Sequence, residues 1–209
     1  MDCLLTSCYL PPVEWFTKLC HYERVWVEQH DNYQKQTFRN RCVIASADGP
    51  LSLTMPVEKP TDGRGCMKDI RISDHNHWRS IHWHALATNY QSSPFFEYYQ
   101  DDFRPFYEQK WEFLVDFNEA LVEKCCELID LQPTILRTHE YIENDEQKKD
   151  FRSLIHPKKG YENDSEFVPT PYYQVFRHKL GFLPNLSIVD LIFNMGPEAL
   201  VVLMDSQRG

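Results

Sequence analysis

Three groups of residues have types and spacings that chemistry could use. The segment 33–41, Tyr-Gln-Lys-Gln-Thr-Phe-Arg-Asn-Arg, holds three cations and no acid in a chain of net charge −9. Lys35, Arg39 and Arg41, with Asn32 and Asn40 as neutral hydrogen-bonding groups, suit a carboxylate or phosphate, the arginines through paired N–H donors. The same pattern also suits a solvated basic strand lying against acidic neighbours. His75, His77, His82 and His84 form a second group. A helical metal site wants an i, i+4 pair, and no pair here has that spacing; His77 and His84 share a face but stand about 10 Å apart along the axis. No metal site is expected, and His82 reads as a general acid or base or as a hydrogen-bonded core histidine. Ser187, Asp190 and Asn194 share one face of an otherwise apolar helix. Buried polar groups need partners, so Asp190 either meets a cation such as Lys35 or Arg41 or pins the last helix through a structural contact.

The elements that must position these groups follow from periodicity. Residues 3–10 are apolar and stop at Pro11 and Pro12, a short buried strand. Val13, Phe16, Leu19 and Cys20 then mark one face of a helix, and residues 24–30 form a second strand. Strand, helix and strand in so short a stretch make a βαβ unit with parallel strands, so segment 33–41 leaves the edge where open α/β sheets bind ligands. The start of the first helix adds partial positive charge there.

Residues 41–57 predict two strands joined by a turn at Asp48-Gly49, and residues 69–73 a short fifth strand. Helices are expected over 78–90, after Ser93 as N-cap with Pro94 in the first turn, over 111–129 and over 185–194, with Pro105 breaking the second. Residues 134–141 read as a last strand. Half of the residues in 143–166 are charged, which predicts a surface loop or lid with a short helix at most. The expectation is one α/β domain over 1–209, with a mixed sheet of about five strands packed by several helices.

Composition narrows the function. A net charge of −9 disfavours nucleic acid as a partner. The apolar run 199–204 is far too short for a membrane span, and residues 1–9 carry no basic leader, so a cytoplasmic protein is expected. Seven cysteines without a CxxC pair read as reduced thiols. No phosphate-cradling glycine motif occurs and no motif names a cofactor.

Five stretches in register carry a resemblance: 9–16 (Tyr-Leu-Pro-Pro-Val-Glu-Trp-Phe), 32–41, His82-Trp83, 93–99 (Ser-Pro-Phe-Phe-Glu-Tyr-Tyr) and 184–198, which opens Pro-Asn-Leu-Ser. Together they resemble the WbqC-like protein family. That resemblance implies a role linked to bacterial O-antigen or other surface polysaccharide, with glycyl or aminoacyl transfer to an amino sugar precursor as the proposed chemistry. It adds Tyr9, Trp83 and Asn185 to Lys35, Asn40, Arg41, His82, Ser187, Asp190 and Asn194 as matching positions. The expected enzyme is a transferase taking a small anionic substrate such as a sugar nucleotide. In it Lys35 and Arg41 hold the anion, His82 moves the proton and Asp190 orients a cation or the histidine. The alternative is a non-catalytic binding or assembly protein of the same pathway, using the aromatics of 95–107, and a homo-oligomer is compatible with either.

Overall fold

The computed structural model describes residues 1–60, 65–143 and 145–208. The chain opens with β1 (Asp2–Thr6), α1 (Val13–His21) and β2 (Arg24–Glu28). β1 and β2 pair in parallel from Asp2 opposite Arg24 to Thr6 opposite Glu28, so the βαβ unit forms as its periodicity requires. A hairpin of β3 (Arg41–Ser46) and β4 (Gly49–Thr54) follows, turning at Ala47 and Asp48. Gly49 adopts φ +118°, a conformation that a side chain would strain. Then come α2 (Trp78–Tyr90), α3 (Phe96–Glu108), α4 (Leu114–Leu128), β5 (Ile135–Arg137), β6 (Lys148–Asp150), α5 (Arg177–Leu180), α6 (Ile188–Met195) and α7 (Ala199–Asp205). The fold is α/β, with its strands divided between a four-stranded parallel sheet, ordered β5-β2-β1-β6, and the separate antiparallel hairpin.

Several local expectations are corrected. Residues 69–73 make no strand. Ile70 and Ile72 do alternate inward with exposed Arg71, but the backbone offers only single bridges from Arg71 to Phe113 and from Ile72 to Val57. Ser93 closes α2, its hydroxyl donating to the Tyr90 carbonyl at 2.7 Å, and α3 starts three residues later behind Phe95. Pro105 does not break α3. Pro105 and Asp101, whose carbonyl loses its N–H partner, both face solvent, where water can satisfy the carbonyl.

The largest correction is in 143–166, which supplies β6, parallel to β1 with Asp2 opposite Lys148. Lys-Lys-Asp carries no apolar signal. The lysines instead run their stems along the sheet, Lys148 Nζ lying 5.1 Å from the Trp26 ring centroid and Lys149 pairing with Glu166. Buried Phe151 and Ile155 follow directly.

α1 is buried nearly all round, including Glu14, Thr17 and Lys18. Lys18 Nζ meets Asp164 at 2.6 Å and Glu166 at 3.6 Å. The start of α1 is not open to a ligand. Asn185 covers it, its Oδ1 accepting the Glu14 N–H and its Nδ2 donating to the Glu14 carboxylate, both at 2.9 Å. At the other end of the chain, Gly196 joins α6 to α7 at φ +56°, and a Cβ there would stand 2.5 Å from the Phe95 ring.

Burial pushes the Glu14 carboxyl up to about 7, against the opposing hydrogen bond from Asn185. Folding therefore favours protonated Glu14. The stability this gives is present below the ordinary carboxylate value and is lost as pH rises through about 7. Glu14→Gln should match the parent's unfolding free energy at low pH and exceed it in alkaline buffer, by up to about 3 kcal/mol; urea denaturation across the pH range checks this.

Candidate functional site

The sheet order places a topological switch at β1. From β1 the chain moves outward to β2 and β5, then returns to lay β6 on the other side of β1. Open α/β sheets bind ligands outside the carboxyl ends of their strands at such a point. A cleft of about 840 Å³ lies there. His30, Asp31 and Asn32, just after β2, line one part, with Gln34 and Arg39. Tyr141 and Glu143, beyond β5, line a second part, and Asp150, Arg152, Ser153, His156, Lys158 and Lys159, at and after β6, line a third.

A buried carboxylate holds these walls together. Glu28, the last residue of β2, is wholly buried. Its oxygens accept from the His30 N–H (2.8 Å), the Thr138 hydroxyl (2.8 Å), the Ile142 N–H (3.0 Å) and Arg152 Nη1 (3.1 Å). Arg152 also grips Asp150, at 2.7 Å through Nη2. The guanidinium thus lies between two acids, and the loops after β2, β5 and β6 are fixed to one point.

A second ion pair, Arg39 with Asp31, forms the floor. Arg39 Nη2 bonds Asp31 Oδ2, and both residues are almost fully buried. Asn118 of α4 fixes the backbone here, donating to the Arg39 carbonyl at 2.9 Å and to the Ser7 hydroxyl at 3.0 Å. Arg39 Nε and Asp31 Oδ1 are buried without partners among the described residues. Unsatisfied buried groups are rare in folded proteins and mark places where strain or function is retained. Burial raises the Asp31 carboxyl above its ordinary value, and the Arg39 charge opposes the shift without cancelling it. A carboxylate with one unpartnered oxygen and a raised pKa is suited to accepting a proton.

Cations gather on the β6 side. Lys158 and Lys159 are exposed, and Lys158 has no acidic partner among the described residues. Burial, helped by Lys159, Lys158 and Arg39, holds the His156 ring below its ordinary pKa. His156 Nδ1 accepts the Lys158 N–H at 3.0 Å. The neutral ring therefore carries its proton on Nε2, as a donor suited to an anion.

Of the residues singled out from sequence, Asn32 and Arg39 lie in this cleft. Lys35 is exposed and outside its lining, and Asn40 is buried, donating to the Met55 carbonyl at 2.6 Å. Arg41 turns the other way, its Nε donating to the Thr54 hydroxyl at 3.1 Å. Thr54 also borders a smaller cavity of about 270 Å³ that includes His82 and Trp78, so Arg41 and His82 approach each other through Thr54. His82 is buried, with Nδ1 2.9 Å from the Tyr9 hydroxyl, which in turn meets Tyr107 at 2.9 Å. Burial lowers its pKa to about 4, against a hydrogen bond with the Thr54 backbone. Trp83 packs on Phe96 and Tyr107.

Asp190 meets no cation among the described residues. It is fully buried and accepts from Tyr90 (2.8 Å), Tyr172 (2.7 Å) and Gln174 (3.0 Å). Ser187 donates to the Leu10 carbonyl and Asn194 to the Asp190 carbonyl. Of the aromatics in 95–107, Phe96, Phe103 and Tyr107 are buried, while Tyr98 is largely exposed.

Sequence reading missed Glu28, Asp31, Tyr141, Arg152, His156, Lys158 and Lys159. The one available signal was the density of charge in 143–166. Among the described residues no group of three His, Cys, Asp or Glu side chains could hold a metal ion, and no helix is long and apolar enough to cross a membrane.

Fold and cleft define an open α/β protein with a polar cleft at the ends of its parallel strands. The chain belongs to the WbqC-like protein family, whose sequence profile matches residues 7–162. Every residue lining the cleft falls inside the match; Asn185, Ser187, Asp190 and Asn194 fall outside it. The chain is 26% identical to the uncharacterized protein Rv1507c of Mycobacterium tuberculosis, with 94% of each chain covered. No solved structure matches.

Replacing Asp190 by Ala would leave three buried donors without their acceptor, at about 1–3 kcal/mol each before relaxation. A fall of several kcal/mol in urea-denaturation stability is the expected result.

Proposed function

We propose that this protein is a transferase whose cleft at the carboxyl edge of the parallel sheet holds a small anionic substrate, a sugar nucleotide or related sugar phosphate. The observation that carries this reading is the pairing, in one cleft, of a cationic wall with a buried acid that has an unpartnered oxygen. Lys158, Lys159 and the His156 N–H neutralise the anion, with Arg39 behind them. Asp31 accepts the proton from the attacking group, and Arg39 orients it as a positioning residue. Membership of the WbqC-like family supports a surface-polysaccharide setting, with glycyl or aminoacyl transfer to an amino sugar as the reaction. An activated aminoacyl donor, whose acyl carbon carries an oxygen leaving group, reacts with the amine: the C–N bond forms, the bond to that oxygen breaks, the oxygen leaves with the bonding electrons, and Asp31 takes the amine proton.

His82 and Asp190 act in this reading by holding Tyr9, Tyr90 and Tyr172 in place rather than by touching substrate. Asn32, which lines the cleft, binds substrate hydroxyls.

Native mass spectrometry of protein taken from cells should show a bound ligand with the mass of a sugar phosphate, lost when Lys158 and Lys159 are both changed to Ala. A ligand that survives the double substitution would overturn the site. Asp31→Asn should keep the ligand while formation of acylated amino sugar, followed by mass spectrometry, drops on the order of 10²–10⁴-fold.

A further inference from the structure

The cleft has an aromatic wall that anion binding does not use. Tyr141 lines it beyond the end of β5 and is 52% exposed. Its position is set by its neighbour, since the Ile142 N–H is tied to the buried Glu28 carboxylate at 3.0 Å. The Arg152 guanidinium lies over the ring, 5.1 Å from its centroid, and is itself held by Glu28 and Asp150. No other aromatic ring packs against Tyr141 among the described residues. A ring braced by a cation on one face and open to a ligand cleft is built for stacking.

We infer that Tyr141 is the stacking platform for the base of a nucleoside diphosphate whose phosphates lie against Lys158 and Lys159. This rests on the cleft being the anion site proposed above and names a second part of the same ligand. The layout fits such a ligand. Tyr141 and the two lysines line the same cleft, and Arg152, which braces the ring, lies on the segment that leads to the lysines. Asn32 and Gln34, beyond β2, offer hydrogen bonds for the sugar hydroxyls. A volume of about 840 Å³ accommodates a ligand of this size. Base stacking on an aromatic ring tolerates any base, so the platform fixes the class of ligand and not the particular nucleoside.

Isothermal titration of the full chain with inorganic diphosphate, uridine diphosphate and adenosine diphosphate tests this. At least one nucleotide should bind about 10-fold or more tightly than inorganic diphosphate. Tyr141→Ala should erase that advantage and leave the affinity for inorganic diphosphate unchanged, which also shows that the variant is folded; Tyr141→Phe should keep it. If neither nucleotide outbinds inorganic diphosphate, or the advantage survives Tyr141→Ala, the platform is overturned and the anion cleft stands. Failure of all three ligands to bind would remove the cleft reading together with this one.

Discussion

A charge with no access to water must be satisfied on every side, and Glu28 imposes that condition on the middle of this protein. An isolated buried carboxylate is costly, whereas one that accepts several hydrogen bonds and faces a cation is tolerated. Glu28 meets the condition only when three separate chain segments converge: its own strand end through His30, the connection after β5 through Thr138 and Ile142, and the turn after β6 through Arg152. The parallel sheet brings those segments near one another, and the carboxylate fixes their relative positions. The cleft is the surface that results.

Behind the cleft a second set of buried charges acts in the same way. Lys18 projects from α1 to Asp164 and Glu166, while Glu166 also takes Lys149 and the Tyr22 hydroxyl. The Phe151 ring lies 4.4 Å from Lys18 Nζ. This cluster clamps the segment that follows the cationic wall onto the βαβ unit, so the wall is anchored at both ends, by Arg152 and by Asp164. An acidic chain can therefore present a basic surface at one edge. Many acids elsewhere are engaged in pairing and anchoring, and Lys158 and Lys159 are left facing the cleft.

Much of the fold was legible in residue periodicity. The βαβ unit, the hairpin, α2 to its terminal residues and the body of α4 all follow from local apolar spacing, because each buries a face whose pattern lies within one short window. What failed was non-local. β6 carries two lysines and an aspartate and becomes a strand only because β1 offers an unpaired edge. Ile70 and Ile72 alternate like a strand yet remain a string of bridges, because no neighbour offers a continuous edge. In the site, Arg39 and Asn32 were identified from charge and position. Arg41, two residues from Arg39, bonds Thr54 instead, because it opens β3 and pairs opposite Thr54 in the hairpin, whereas Arg39 lies in the connection before the strand and turns to Asp31.

Sequence alone determined the α/β class, the parallel opening unit and the concentration of cations in a chain of net charge −9, since these depend on residue type and near-neighbour spacing. Tertiary structure alone decided which charges meet. It buried Asp190 among two tyrosines and a glutamine, paired Asp31 with Arg39, and brought Tyr141, Glu143 and residues 150–159 to the cleft that residues 30–39 line. The physical reason is that strand order is set by pairing between segments more than a hundred residues apart, and a ligand cleft at strand ends takes its residues from whichever connections that order makes adjacent.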